Sequence, residues 1–336
     1  MQNDTFVLTG MGHQHPKNCI ENSFFESLDI ESSAKWVEER TGIKARHSVL
    51  DKETLQDLRY DRTTIECLRR EGKILGIKNL VSEAWEMTKR RSMLAMEELS
   101  LLICGTSVPD FDIPANASVI AHQLGLSCFT FDAHSACSSF VTDLAIAKGL
   151  LGTSSFTTAA IMNVERYTLS LDFSDRKSCV LFGDGTASSL LEKNTTKSGL
   201  KLIDIILHSD PSGYDAVKIP VGAHFSQNGS RVQKFAVSKT CSATLEILEK
   251  NGLGVNDINY FIGHQANLRM LNSVCSRLNI EKEKHLFNVE KFGNQGAAGA
   301  PAVLSSHWEQ LRCGDKIVVT VVGSGLTWGS VLFEKI

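Results

Sequence analysis

The chain has 336 residues, enough for two ordinary domains or one large one built from two halves, and enough to bury a substantial core. Apolar residues at 42% and charged residues at 22% exclude a disordered or collagen-like chain, and a net charge of −3 excludes a globally basic nucleic-acid binder while leaving a local basic patch open. Nine scattered cysteines without a CxxC pair fit reduced thiols, not a disulfide framework or a zinc site; with no signal-like N-terminus and no membrane-length apolar run, the expected compartment is the cytoplasm.

Short apolar runs alternate with longer helical patterns, the signature of an α/β fold with buried strands. In chain order the first half predicts strands at Phe6–Thr9, Leu101–Gly105, Phe129–Asp132 and Thr158–Val164, with helices at Ser33–Arg40, Ala117–Leu124 and Ser138–Leu151. Ser178–Glu192 reads as two strands around the Gly183-Asp184-Gly185 turn. The second half predicts strands at Leu200–Leu207, Tyr260–Gly263, His285–Asn288, Lys316–Val322 and Trp328–Glu334, and helices at Val232–Lys250, Leu268–Leu278 and Ala298–Leu311. The polar run Lys193–Gly199 is the clearest linker. It suggests two similar halves, 1–194 and 195–336. The charged, helix-forming stretch at about 47–91 reads as a solvated helical surface.

Four segments place polar or reactive residues at element junctions. Phe131-Asp-Ala-His-Ser-Ala-Cys137-Ser-Ser brings a strand to an end and begins a helix at the cysteine. There a thiol meets the helix N-terminal field and free backbone N–H groups, although most cysteines are inert packing residues. His264 follows Tyr260–Gly263 at the entrance to a helix, where an imidazole can donate or accept, or merely cap. Asn294 lies in Gly-Asn-Gln-Gly-Ala-Ala-Gly, small residues that permit close backbone approach and equally suit a tight packing turn. Gly323-Ser324-Gly325 lies between two strands and offers N–H groups, or is only a connection. Gly10-Met-Gly12 lacks the third glycine of a dinucleotide fingerprint, and His13 with His15 lacks further metal ligands nearby, so no metal is expected.

Taken together, Trp36-Val-Glu-Glu-Arg40-Thr-Gly-Ile43, Cys137, Asp175-Arg176, Phe182-Gly-Asp-Gly185, His208-Ser-Asp210, His264-Gln-Ala-Asn-Leu-Arg269, Asn294 and Thr327-Trp-Gly-Ser330 resemble the thiolase superfamily, and most closely β-ketoacyl-acyl-carrier-protein synthase III. The likeness runs over nearly the whole chain. It implies a thiolase-like α/β fold, two similar βαβαβ-type halves in a layered α-β-α-β-α arrangement. It implies Cys137 as nucleophile, His264 and Asn294 as donors to the extender's thioester oxygen, and backbone N–H groups of Cys137, Ser324 and Gly325 around the oxyanion. It also implies a coenzyme A site of Trp36, Arg40, Arg176, Phe235, Asn267 and Arg269, with aromatic and guanidinium planes suited to adenine and phosphate.

The implied reaction is transfer of an acyl group to Cys137, then decarboxylative Claisen condensation with a malonyl thioester in fatty-acid or specialised polyketide-type biosynthesis. Acyl-CoA and malonyl thioester are substrates, and no cofactor is implied. The implied partners are acyl carrier protein, docked near Lys234 and Arg269, and a second copy in a homodimer. No nucleic-acid or membrane partner is expected. The alternatives are an acyltransferase to an O, N or S acceptor, and a non-catalytic ketosynthase subunit, which usually lacks the nucleophile. Three features depart from the family pattern: about twenty extra residues between Ile43 and Leu101, the Gln-Gly-Ala-Ala-Gly turn after Asn294, and His134-Ser135 in the nucleophile loop. They point to a specialised member.

Overall fold

In the computed structural model, which describes residues 4–56, 62–95 and 98–336, the apolar runs become nine strands of one hydrogen-bonded sheet. They are β1 Phe6–Gln14, β2 Leu101–Gly105, β3 Phe129–Asp132, β4 Thr158–Arg166, β5 Asp184–Lys193, β6 Leu200–Ser209, β7 Tyr260–Gly263, β8 Lys316–Gly323 and β9 Thr327–Lys335. Every residue of β2 and β4 is buried. That is why Leu101–Cys104 and Ala159–Met162 read as apolar runs: a strand covered on both faces shows no alternating polar side.

The order across the sheet is β7-β8-β9-β6-β1-β5-β4-β2-β3. The first five strands, counted in chain order, therefore lie third, second, fourth, fifth, first. The later set repeats second, fourth, fifth, first, and a single parallel bridge from Phe261 to His285 occupies the third place. Directions repeat too. The β2–β4 and β7–β8 pairs are parallel, whereas β4–β5, β5–β1, β8–β9 and β9–β6 are antiparallel. The two sets meet only where Val7 and Leu8 of β1 pair with Lys201 and Leu200 of β6.

Seven helices cover these strands: α1 Ala34–Thr41, α2 Ser82–Ser92, α3 Asn116–Leu124, α4 Ser139–Thr153, α5 Gly229–Lys250, α6 Leu268–Leu278 and α7 Gly299–Ser306. Phe140 and Leu144 of α4 and Val303 of α7 pack between Ile161 of one strand set and Val319 of the other. A helix enclosed between the two strand sets is largely apolar, and the buried Asp143 of α4 is bonded by Asn163 at 2.9 Å. Outside, Trp85 of α2 and Ile120 of α3 cover the first set, and Ile247 of α5 and Val274 of α6 cover the second. The result is five layers, α-β-α-β-α, a thiolase-like fold.

Several predicted elements differ. Ser178–Gly183 is not a strand but a tight turn, with Cys179 N–H bonded to Asp175 O and Leu181 N–H to Ser178 O; only Asp184–Lys193 is extended. His285–Asn288 makes one bridge and no strand. The helix expected to Leu311 stops at Ser306, with a short 3-10 turn at Trp308–Gln310. The sequence reading also missed a small pairing of Asn18–Glu21 with Ala45–Ser48, whose mixed polar residues carry little strand signal.

The 47–91 stretch begins in that pairing, and its residues 57–61 lie outside the described residues. Short helices follow at Lys52–Gln56 and Arg62–Arg70. Its reading as a solvated surface fails for α2, whose Ala84, Trp85 and Thr88 are buried. The helix lies against β1 because Gly10 and Gly12 have no side chains: a Cβ at Gly12 would overlap the Ala84 carbonyl oxygen. Close helix packing thus explains the Gly10-Met-Gly12 pattern. Among the described residues no helix is long and apolar enough to cross a membrane.

Candidate active site

The nucleophile turn is built from the end of β3. The Asp132 carboxylate accepts the N–H groups of Asn116 and Ala117 at 2.7 and 2.8 Å, which ties the strand end to the start of α3. Ala136 then takes a left-handed conformation, φ 50°, costly for a residue with a Cβ. It turns the chain so that Cys137 lies in a 3-10 turn, Ala136–Ser138, at the foot of α4. Ser138 Oγ donates to Ser135 O at 2.6 Å and meets Thr327 Oγ1 at 2.7 Å. Gly323 fits against the same turn, since a Cβ there would come within 2.8 Å of Ser135 O and 2.9 Å of Ser138 N.

Cys137 opens onto a cavity of about 260 Å³ whose wall also includes His264, Asn294, Phe235, Asn267, Gly323 and Ser324. Three junctions far apart in sequence therefore converge on one space. Gly325 lies one residue further along its loop, outside that wall. Burial pushes the Cys137 thiol up to about 12, and the nearby Glu165 carboxylate adds to the rise. In the resting site desolvation outweighs the helix field on which the sequence argument relied.

His264 follows β7 directly and is 5% exposed. Burial pulls its imidazole down to about 4, so it is neutral near pH 7. Asn294 is held at both its backbone and its side chain. Its N–H donates to Leu181 O at 2.8 Å and its carbonyl accepts Gly183 N–H at 3.0 Å, while Oδ1 accepts Gly296 N–H at 3.0 Å. With Oδ1 committed, the amide NH2 is the group left to face the cavity. The glycines of Phe182-Gly-Asp-Gly185 make this possible: a Cβ at Gly183 would overlap Phe292 O and lie 2.9 Å from Arg46 Cβ.

The remaining sequence-selected residues divide into two groups. Phe235, edge-on to Trp328 with ring centroids 5.4 Å apart, and Asn267, which caps α6 by accepting Met270 N–H at 2.8 Å, are on the wall. Trp36, Arg40, Arg176 and Arg269 are not, but they form one group outside it. The guanidinium carbons of Arg40 and Arg176 sit 5.7 and 5.1 Å from the Trp36 ring centroid, and Arg269 Nε donates to Glu39 O at 2.9 Å, joining α6 to α1. Lys177, next to Arg176, is itself on the cavity wall.

Sequence reasoning missed the aromatic floor. Tyr167 stacks on Phe182 with centroids 4.6 Å apart, and Phe225 meets Phe182 at 4.7 Å. All three line the cavity. It also missed the buried Glu165 and Arg166 behind them. Their signal was present: two charges continue the apolar run that begins at Thr158, and β4 runs through both.

Two family models match the chain, 3-oxoacyl-[acyl-carrier-protein] synthase III over residues 131–211 and its C-terminal counterpart over 248–335. The beta-ketoacyl-[acyl-carrier-protein] synthase III of Aliarcobacter butzleri is 34% identical, with 96% of each chain covered. That of Clostridium perfringens strain 13 is 31% identical, covering 97% of this chain and 98% of its own. The crystal structure of 3-oxoacyl-[acyl-carrier-protein] synthase III from Aquifex aeolicus superposes with a TM-score of 0.86 at 29% identity, covering 98% of this chain and 99% of that one.

Proposed function

The chain belongs to the β-ketoacyl-[acyl-carrier-protein] synthase III family, and on that premise we propose how its residues divide the work. The enzyme is a decarboxylating condensing acyltransferase: an acyl group from acyl-CoA is joined to malonyl-acyl carrier protein in fatty-acid biosynthesis, giving a β-ketoacyl product. Cys137 takes the acyl group and CoA leaves. Malonyl thioester then enters the same cavity, and loss of CO2 builds negative charge on its thioester oxygen. Neutral His264 and the Asn294 amide donate to that oxygen, which lowers the barrier because both are fixed before the charge develops. The enolate carbon attacks the acyl–Cys137 thioester, whose oxyanion meets the backbone N–H groups of Cys137 and the Ser324–Gly325 loop. The scheme asks for no resident cofactor.

Trp36 with Arg40 and Arg176 holds the nucleotide end of CoA, Arg269 flanks it, and Phe235 and Asn267 line the path to Cys137. The exposed Lys234 and Arg269 give an acidic carrier protein a docking point. The nucleophile belongs to a half spanning 1–194 and the two donors to a half spanning 195–336, a division that the repeated strand order supports. A homodimer completes the proposal: β3 is an edge strand with Phe129 58% exposed, an apolar edge suited to pairing with a second copy.

The convergence of Cys137, His264 and Asn294 on one cavity carries this reading. Intact-mass spectrometry with a series of acyl-CoAs tests it. An acyl adduct that vanishes in Cys137→Ala, with CO2 release on adding malonyl carrier protein, is the expected result. Acyl transfer to an alcohol or amine without CO2 release would overturn the condensation step.

A further inference from the structure

Behind Cys137 a line of hydroxyl groups leads to a buried carboxylate. Cys137 Sγ lies 3.6 Å from Tyr167 Oη. Tyr167 donates to Ser107 Oγ at 2.9 Å, and Ser107 Oγ donates to Glu165 Oε1 at 3.0 Å. Because the tyrosine hydrogen is committed to Ser107, the thiol is the donor in the first contact. All three hydrogens thus run one way and end on a group that can accept a proton. The line is also fixed in place: Tyr167 stacks on Phe182, and Gly296 leaves room where a Cβ would overlap the tyrosine ring and lie 2.8 Å from Glu165 Oε1. Glu165 accepts two further bonds from neutral donors, Ser107 N–H at 2.9 Å and Ala297 N–H at 3.2 Å.

We propose that Tyr167 and Ser107 relay the Cys137 proton to Glu165 as the sulfur attacks an acyl thioester, and return it when condensation frees the sulfur. The inference rests on Cys137 being the acyl acceptor. In the first half-reaction a bond forms between Sγ and the acyl carbonyl carbon, and the bond from that carbon to the CoA sulfur breaks. The Cys137 proton comes to rest on Glu165, and the CoA thiolate takes one from solvent. In the second, CO2 leaves, the new carbon–carbon bond forms, and Sγ departs with its electron pair and recovers the proton held on Glu165. The relay ends as it began. Tyr167, which touches the reacting sulfur, is the catalytic member; Ser107 and Glu165 act through it.

The electrostatics make the transfer a concerted one. Burial raises the thiol to about 12 and Glu165 to about 8. The proton therefore rests on sulfur in the free enzyme and can pass to Glu165 only in concert with attack, as bonding to the acyl carbon makes the sulfur far more acidic. The ionisable groups around Glu165 are Asp143 of α4, Asp184 of β5, Cys104 of β2 and Tyr167, with Arg166 beside it in β4. Asp184 raises Glu165 further. Arg166 turns away to Asp110 at 2.6 Å, so the relay ends on a carboxylate bonded only to neutral donors.

The test is the rate of Cys137 alkylation by iodoacetamide, followed by peptide mass spectrometry from about pH 6 to about pH 10, beside single-turnover acylation by acyl-CoA. The wild-type rate is expected to level off above pH about 8, as Glu165 becomes fully ionised. Tyr167→Phe keeps the ring and Ser107→Ala keeps the backbone; each should lose about tenfold or more near neutrality and then climb with pH without levelling. Glu165→Gln should match them, and Tyr167→Phe/Glu165→Gln should be no slower than either single variant. If Glu165→Gln does not fold, the other two variants still decide. An unchanged profile in Tyr167→Phe, or a uniform loss at every pH, would overturn the relay. Alkylation needs no acyl donor, so a wild-type enzyme that accepted no acyl group would count against the proposed function while alkylation still judged the relay.

Discussion

Asn294 Oδ1 accepts the Gly296 N–H at 3.0 Å, and this bond decides which end of the amide faces the substrate. An aspartate in its place keeps the acceptor for Gly296 but turns the donor into a second acceptor. Asn294→Asp should therefore lower malonyl decarboxylation by about 10²- to 10³-fold, the usual loss for one oxyanion donor. Cys137 acylation should change far less. Parallel measurement of CO2 release and of the acyl adduct separates the two steps.

His264 gives a pH prediction of definite sign. Its folded value near 4 lies below the ordinary 6.5, so the unfolded chain takes up the proton first as pH falls. The stability permitted by neutral His264 is complete above about 6.5 and is lost progressively as pH falls toward 4, by up to about 3 kcal/mol. Relative to wild type, His264→Gln should gain in melting temperature as the buffer goes from pH 7 to pH 5. A constant difference between the two proteins would contradict this account.

Much of this geometry was legible in the sequence, for identifiable reasons. Strands buried on both faces, such as Leu101–Gly105, announce themselves by apolar runs, whereas Cys137 and His264 sit at junctions that alone fit an inert thiol or a cap equally well, and only the family resemblance of the whole set singled them out. The glycine and alanine neighbours of Asn294 marked a crowded turn, and the resemblance gave the amide its role. What stayed hidden depended on contacts distant in sequence. Ser178–Gly183 has strand-like composition, but its path is set by Asn294 and Phe292 about 110 residues later. Likewise Tyr167 became part of the site only when β4 carried it beneath Cys137.

Gly12 predicts a packing defect. An added methyl group at this position overlaps the Ala84 carbonyl oxygen and lies 2.8 Å from Thr88 Oγ1, so α2 must move off β1. Gly12→Ala should cost about 1–3 kcal/mol, the usual range for overpacking a dense contact. Thermal melting reads it directly. Serine substitution at exposed Gly229, where a Cβ meets nothing within 4 Å, should have little effect by comparison.

Trp36 carries two guanidinium groups over its ring. Loss of the ring in Trp36→Ala should raise KM for acyl-CoA about tenfold, in keeping with one or two cation–π or stacking contacts. An acyl thioester of N-acetylcysteamine has no nucleotide to stack, so it should acylate Cys137 equally fast in both proteins. Equal losses with both donors would place Trp36 outside CoA recognition.

Asp110 ties the helix Arg62–Arg70 to the floor of the site. Its Oδ1 pairs with Arg166 at 2.6 Å and with Arg69 at 2.9 Å, and its Oδ2 accepts Ile77 N–H at 2.7 Å. Arg166 is wholly buried; burial already holds its guanidinium below the usual arginine range, and Asp110 opposes that fall. Asp110→Asn retains shape and removes the charge, leaving a buried cation without its anion. Breaking one side of such a pair costs about 3–5 kcal/mol, whereas the surface pair of Arg70 with Glu66, at 2.6 Å and largely exposed, should cost under about 1 kcal/mol when Glu66 becomes Gln. Arg69 loses this ion pair as well, keeping only its bond to the residue-110 carbonyl, so the helix should loosen before the whole chain unfolds, and limited trypsin digestion should cut between residues 62 and 78 in Asp110→Asn under conditions that spare wild type. Glu165 precedes Arg166 in β4 and Tyr167 follows it in the next turn, so the same substitution should also slow Cys137 alkylation. If the melting temperature dropped with no new cleavage in this segment, Asp110 would be a core pair only, and the link between the helix Arg62–Arg70 and the active site would fail.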